Sequence, residues 1–330
     1  MAANAVAPKI LGIIGSAIAG PTLALQLLSH LILASRFRPI IFDKSAALPN
    51  LSSSAITSSS SSPKKGHPLT VSSAGAAVAL FSNGLFPLYN LNLRASLDVA
   101  SSELSCLTIW RSGYGSHLSD GSLKVGKYQK LNSCTNPTWN PELQTGGRAI
   151  ERHKLQYLLV SEYLRRGGEV QWDKNAVSFS RHTSGQMQVL FSDGTDVVVD
   201  LLVGADGGFS TVRKFILNER DSSTAEARWL PHFMGITGFY GISTPTAALA
   251  ETRADAKTRE STHAIWLDNG NLSVAPLPDG KMRWDLMISE KTPPGPRDQS
   301  SRRSRGAVSP HSGRRRLCPA CTLGHRVSRS

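Results

Sequence analysis

The sequence predicts an α/β fold: a parallel sheet backed by helices and assembled from distant segments, with a second, mainly antiparallel sheet after it. Three observations predict it. Residues 201–213, LLVGADGGFSTVR, pass from an apolar strand through Gly-Ala-Asp-Gly into a helical segment. Near the N-terminus, KILGIIGSAIAGPTLALQLL makes the same passage from a β-branched run through Gly15, Ala17 and Gly20 into a long apolar helix pattern. Elsewhere, apolar and polar residues alternate between Ser-Gly, Asp-Gly and Asn-Gly pairs, the pattern of antiparallel hairpins.

A strand that ends at a glycine-rich turn opening a helix presents backbone N–H groups to an anion. In such a Rossmann-like unit Gly15 makes the tight turn, position 17 lets a pyrophosphate approach the backbone, and Gly20 lets helix and strand pack closely. Position 17 is alanine, so one methyl stands where the phosphate comes nearest. Pro21 falls at the helix start, where its missing N–H had no intrahelical partner to lose. RPIIFDK reads as the next strand and ends at Asp43, the acidic position that hydrogen-bonds a ribose. The spacing from Gly20 to Asp43 is long for a minimal unit, so the helix or its exit carries additional residues.

The rival for this segment is a membrane span, because residues 10–35 hold no charged side chain and meet the length criterion. Gly12, Gly15, Gly20 and Pro21 in the first half, Gln26 and His30 in the second, and the strand with its terminal acid argue for strand, turn and helix instead. Only Lys9 precedes the apolar run and no small-residue cleavage site follows, so no secretory signal is expected. The expected location is the cytoplasm, with neither a membrane nor a specific nucleic acid as partner.

At the second turn, Asp206 and Gly207 offer a carboxylate and a flexible backbone at a strand's carboxyl end. Asp-Gly is also a common plain turn pair. Before it, AIERHKLQYLLVSEYLRRGGEVQW reads as a strand, then a helix with Leu155, Leu158 and Leu159 on one face, then a strand. Arg152 opens that helix, where its guanidinium suits phosphate or carboxylate oxygens; an ordinary solvated arginine beside Glu151 is the other reading. EVQWDKNAVSFSRHTSGQMQVLFSDGTDVVVDLLVGAD reads as a meander turning at Ser184-Gly185 and Asp193-Gly194 and feeding the Asp206 strand. HAIWLDNGNLSVAPLPDGKMRWDLMIS reads as hairpins turning at Asn269-Gly270 and Asp279-Gly280.

Together, IIGSAIAGPTLALQL, IIFDK, SNGLFPLYNLNL, AIERHKLQYLLVSEYLRRGGEVQW and LLVGADGGFSTVRKFI resemble the FAD-dependent aromatic-hydroxylase type of monooxygenase, the salicylate-hydroxylase-like group common in fungal secondary metabolism. The resemblance runs from about residue 8 to about 290, with the pieces in the family's order. It implies a discontinuous Rossmann-like FAD-binding domain whose first turn binds the ADP half, with Asp43 on the ribose and Arg152 against the flavin. Asp206 and Gly207 match a motif associated with both flavin and nicotinamide nucleotide. The implied reaction uses NADPH or NADH and dioxygen to hydroxylate or epoxidise an aromatic or polyketide-like small molecule. The second sheet would form the wall of the substrate pocket, with Trp266, Trp284 and Met287 available for it; as aromatics at strand spacing they also read as plain core.

The family carries a later Gly-Asp motif whose aspartate holds the ribityl chain. That dipeptide occurs nowhere in this chain. The cofactor carries the chemistry, so no catalytic residue is assigned, and His67, His153 and His263 read as incidental. Two further classes stay open: a non-catalytic remnant of such an enzyme, and a flavin reductase acting without oxygenation.

The expected organisation is a nucleotide-binding domain over 1–225, an incomplete substrate sheet over 226–292 and a tail over 293–330. Residues 51–65, LSSSAITSSSSSPKK, bury too little to offset ordering entropy and read as a flexible inserted loop. Residues 297–330 hold nine arginines, no lysine and one acid, which is +8 of the chain's +13. That bias reads as out-of-frame or unspliced translation; a basic arm for nucleic acid is the alternative, though no aromatic is interleaved to stack on bases. Cys318, Cys321 and His325 fall short of four zinc ligands, and four cysteines do not imply a disulfide framework.

Overall fold

The computed structural model describes residues 7–48, 77–112, 116–117, 123–124, 128–243 and 261–293. The serine-rich stretch 51–65, His67, and the tail with Cys318, Cys321 and His325 lie outside the described residues. The chain runs β1 (Lys9–Ile14), α1 (Ala19–Ser29), α2 (Leu31–Arg36), β2 (Phe37–Phe42), β3 (Ala77–Leu80), α3 (Ser82–Asn90), α4 (Arg94–Ala100), β4 (Ser101–Glu103) and β5 (Cys106–Arg111). The short β6 (Ser116–His117) and β7 (Leu123–Lys124) follow, then β8 (Gln129–Thr135), β9 (Arg148–Glu151), α5 (Arg152–Arg165), β10 (Glu169–Gln171), β11 (Ala176–Arg181), β12 (Met187–Phe191), β13 (Asp196–Val199) and β14 (Leu201–Gly204). Last come α6 (Thr211–Arg220), α7 (Ala225–Trp229), β15 (Ile236–Ser243), β16 (Thr262–Leu267), β17 (Gly270–Pro276) and β18 (Met282–Ser289).

Two compact units share these elements. The first takes the described residues of Met1–Pro68 with Pro87–Leu97 and His153–His232. Its centre is an all-parallel sheet in the order β10-β2-β1-β14. The apolar runs of β1 and β2 suit a strand covered on both faces, and Ile13, Ile41 and Phe42 are fully enclosed. Leu25 of α1 is enclosed with them, each such side chain contributing roughly 1.5–3 kcal/mol of transfer free energy. The long Gly20-to-Asp43 spacing is explained by α2, a second helix that starts after a break at His30 and runs straight into β2. Residues 10–35 are thus divided among a strand, a turn and two helices. Among the described residues no helix is long and apolar enough to cross a membrane.

The meander expected before Asp206 is present as the antiparallel set β11-β12-β13, with Gly185 and Gly194 turning at φ +83° and +82°. It is an excursion from the parallel sheet, leaving after β10 and returning at β14, and its Phe179, Val189, Phe191 and Val199 pack with Ile14, Ile40, Phe42 and Val212 into one core. Helix α5 buries Leu155, Leu159, Val160 and Tyr163. The Tyr163 hydroxyl donates to Pro39 O at 2.6 Å, and burial pushes its phenol above the usual range. Past the helix end, Gly167 turns at φ +80° and Gly168 N–H returns to Tyr163 O at 2.9 Å, as expected of a glycine C-cap. In that last turn, hydrogen bonding from Arg165, with Arg166 adding to it, holds the Glu162 carboxyl below its usual range.

The second unit takes the described residues of Leu69–Phe86, Asp98–Arg152 and Phe233–Ser330. Its main sheet runs β15-β18-β17-β16-β5-β8. The expected hairpins are there: β16 pairs β17 and β17 pairs β18, both antiparallel. At the first, the turn residues are Asp268 and Asn269, since Leu267 already pairs Gly270. Gly270 is needed for clearance, because a Cβ there would lie 2.0 Å from Met287 O. At the second, Asp279 and Gly280 both take positive φ. The sequence placed residues 1–225 in one domain, yet β5 and β8 hydrogen-bond into the sheet of the 226–292 segment, β5 lying parallel to β16. A small antiparallel sheet, β3-β9-β4, completes this unit, and Ala77, Leu104 and Ala149 pack with Ala275 and Leu277.

Candidate nucleotide-binding site

Three strand ends stand side by side in the first unit, because Ile14 pairs with Phe42 on one side and with Gly204 on the other. The residues that follow those ends are Gly15, Asp43 and the Ala205–Asp206 pair. The two glycine-rich turns singled out in sequence therefore meet. Gly15 turns at φ +108°, and a Cβ there would lie 2.5 Å from Ala205 O. Backbone bonds stitch the turns across the sheet: Gly15 N–H donates to Phe42 O, and Ala205 N–H to Ile14 O, both at 2.8 Å. Gly20 lets α1 fold back on the turn, since its Cβ would sit 2.0 Å from Gly15 O.

Asp43 is tied to the first turn. Its Oδ2 accepts from Ser16 N–H at 2.6 Å and from Ser16 Oγ at 2.7 Å, and its Oδ1 from Ser45 N–H at 2.8 Å. A carboxylate oxygen has two lone pairs, so Oδ1 keeps capacity for a hydroxyl. Ser16 is fully buried, and its carbonyl accepts from the Gln156 amide of α5 at 3.1 Å. Ala17 is half-buried just ahead of α1.

The two helix N-termini at these turns differ. At α6, Ser210 Oγ accepts from Arg213 N–H at 2.9 Å. Asp206 Oδ2 accepts from Thr211 N–H at 2.6 Å and Val212 N–H at 3.3 Å, and its Oδ1 is bonded by Ser210 Oγ. That end is capped by its own side chains. At α1 the N-cap is Ile18, no side chain caps the helix, and the first turn holds no acid. Its free N–H groups and partial positive charge are matched by an anion, and the close approach needs the glycines at 15 and 20. The residues present thus fit a nucleotide's phosphates at α1, and a ribose at Asp43.

Gly207 is exposed at φ +87° with open space around a would-be Cβ, so conformation alone requires glycine there. Arg152 stands exposed as the first residue of α5, four residues before Gln156. The three candidates for a substrate wall divide by face. Trp266 and Met287 share a cross-strand row through Asn271 and are 60% and 37% exposed, which corrects the plain-core reading for both. Trp284 points to the other face, where its ring covers Gly241. His263 is a core residue whose Nδ1 accepts from Trp110 Nε1 at 3.1 Å. Sequence reasoning missed Ser16, Gln156 and Ser210. Only Ser210 carried a signal, a serine immediately before a helical run.

No protein-family model matches the chain, and no curated protein does. Solved structures do match. HpxO of Klebsiella pneumoniae, complexed with FAD and uric acid, superposes with a TM-score of 0.60 at 15% identity, covering 87% of this chain and 58% of its own. CtdE, in complex with FAD and a substrate, gives 0.60 at 16%, covering 86% and 58%. A Photorhabdus luminescens protein described as a FAD-containing monooxygenase gives 0.56 at 20%, covering 87% and 64%. The chain therefore spans about three-fifths of the length of these proteins. A parallel sheet with further antiparallel sheets is the fold of FAD-binding monooxygenases, and this chain has that fold.

Proposed function

We propose that the chain is a FAD-dependent monooxygenase, or the greater part of one, acting with NADPH or NADH and dioxygen on an aromatic or polyketide-like small molecule of secondary metabolism. The observation that carries this reading is the α1 N-terminus: uncapped, free of acids, reached through Gly15 and Gly20, and flanked by Asp43. FAD, once bound and reduced, supplies the oxygenation of electron-rich carbon by dioxygen. The chain's residues do the rest. The turn at 15–20 and the α1 dipole hold the pyrophosphate, Asp43 orients the adenosine ribose, and Arg152 supplies a charge-assisted hydrogen bond to the flavin. Asp206 and Gly207 shape the turn beside Gly15, and the row through Trp266 and Met287 offers an apolar wall to the substrate. Arg152→Ala is expected to weaken FAD binding by about 1.5–3 kcal/mol; unchanged affinity in equilibrium dialysis would remove Arg152 from the site.

A second reading is a flavin-binding chain without productive oxygenation, in which the reduced flavin meets dioxygen and releases hydrogen peroxide. The separating experiment compares NADPH consumed with hydrogen peroxide released and with product from a panel of phenols. Peroxide matching nucleotide would favour the second reading. Product matching nucleotide would establish a competent monooxygenase.

A further inference from the structure

We propose that the end of the first unit opposite the nucleotide turn is a docking surface for an anionic lipid bilayer, on which the protein lies without spanning it. Helix α1 leaves the carboxyl end of β1 and ends at Ser29 at the sheet's amino end. There α2 follows and enters β2 at Phe37, which pairs with Lys9. On this short helix Leu31 is 90% exposed and Ile32 57%. Beside them lies a groove of about 350 Å³ lined by Leu23, Gln26, Leu27, Ser29, His30 and Leu33. Groove and protruding tip both lie at the junction of α1 and α2.

Cations surround the tip. Arg166 donates to Ser29 Oγ at 2.7 Å, which sets its guanidinium at the groove wall. Arg36, Arg38 and Lys9 are exposed at the same end of β1 and β2, and Arg165 is the last residue of α5. Glu162 is paired with Arg165 and Arg166, Glu169 with Arg38, and Asp200 accepts from Ile10 N–H, so Arg36 and Lys9 supply the net positive charge of this end. Aliphatic side chains rimmed by arginine and lysine are the chemistry of an interfacial anchor, in which apolar reach and attraction to anionic headgroups act together. Two protruding side chains on a six-residue helix offer far less than the ~800 Å² per partner of a stable protein interface, and a bilayer needs no shape-matched surface. Lying on a bilayer differs from spanning it, and it departs from the expectation that a membrane is no partner. Gly15, Asp43 and Asp206 follow the carboxyl ends of the same strands, so docking leaves them turned away from the lipid.

The test is flotation of the full chain with vesicles of phosphatidylcholine alone or with about 30% phosphatidylserine. Wild type is expected to float with the anionic vesicles only. Leu31→Ser/Ile32→Ser should lower the partition by roughly tenfold or more while circular dichroism stays unchanged. In Leu31→Trp, emission should shift blue on adding anionic vesicles and be quenched by brominated acyl chains. The arginines of 297–330 remain in every variant, so binding unchanged by the Leu31/Ile32 substitutions would mean that charge elsewhere holds the protein, and would overturn the proposal. So would failure of wild type to float. Self-association without lipid that the double variant abolishes would also overturn it, in favour of a second copy as occupant.

Discussion

Gly15→Val is expected to abolish FAD binding and to destabilise the first unit measurably. Two independent costs act at this position. A residue with a Cβ at φ +108° is strained, at about 1–3 kcal/mol, and its Cβ would press on the Ala205 carbonyl, which is backbone and cannot swing aside. Sequence reasoning assigns Gly15 to the tight turn alone; the structure adds that the second glycine-rich turn is packed against it. A lost cofactor in Gly15→Val therefore combines ligand and fold, and Ala17→Gly separates them. Ala17 is half-buried just ahead of α1, at the position where the proposed site brings the phosphate nearest, so removing its methyl should leave FAD affinity equal or higher. Thermal unfolding and flavin fluorescence of both variants provide the check. A Gly15→Val protein with wild-type melting and wild-type FAD affinity would show that neither the clash nor the turn matters.

Asp206→Ala is expected to cost about 2 kcal/mol of stability and to weaken flavin retention with it. The carboxylate accepts from two backbone N–H groups at the start of α6 and from the hydroxyls of Ser210 and Thr211, so truncation leaves several donors to water or to nothing. Ser210 still caps Arg213 N–H, which limits the loss. Asp206→Asn keeps one acceptor oxygen and should recover part of the stability. This ordering, wild type above Asn above Ala, is what urea unfolding should read. Equal stability of all three, with flavin binding lost, would make Asp206 a direct cofactor contact rather than the residue that holds its own turn in place.

The parts of the fold legible in sequence are those whose cause is local. Gly15, Gly185, Gly194 and Gly207 mark turns because a positive φ is a property of one residue, and the strands flanking them alternate or run apolar according to how many faces they bury. The hairpins of β16, β17 and β18 follow for the same reason. What stayed hidden is non-local. Nothing within Cys106–Arg111 says that it will lie parallel to Thr262–Leu267, since a half-buried strand carries the same pattern whichever neighbour it takes. Nor could the spacing of Gly15 and Asp206 show that their turns touch; that follows only from the register of β1 with β14. At the site, residue types with a backbone task were visible and those acting through partners were not. Ser16 and Gln156 are ordinary residues in sequence and acquire meaning only beside Asp43 and each other.

The most direct measurement is a titration of the 330-residue chain with FAD, followed by flavin fluorescence and repeated in excess ADP. Saturable, equimolar binding that ADP displaces is expected, because the turn at Gly15, the α1 N-terminus and Asp43 all act on the ADP half. No saturable change, or binding indifferent to ADP, would contradict a nucleotide site at these residues.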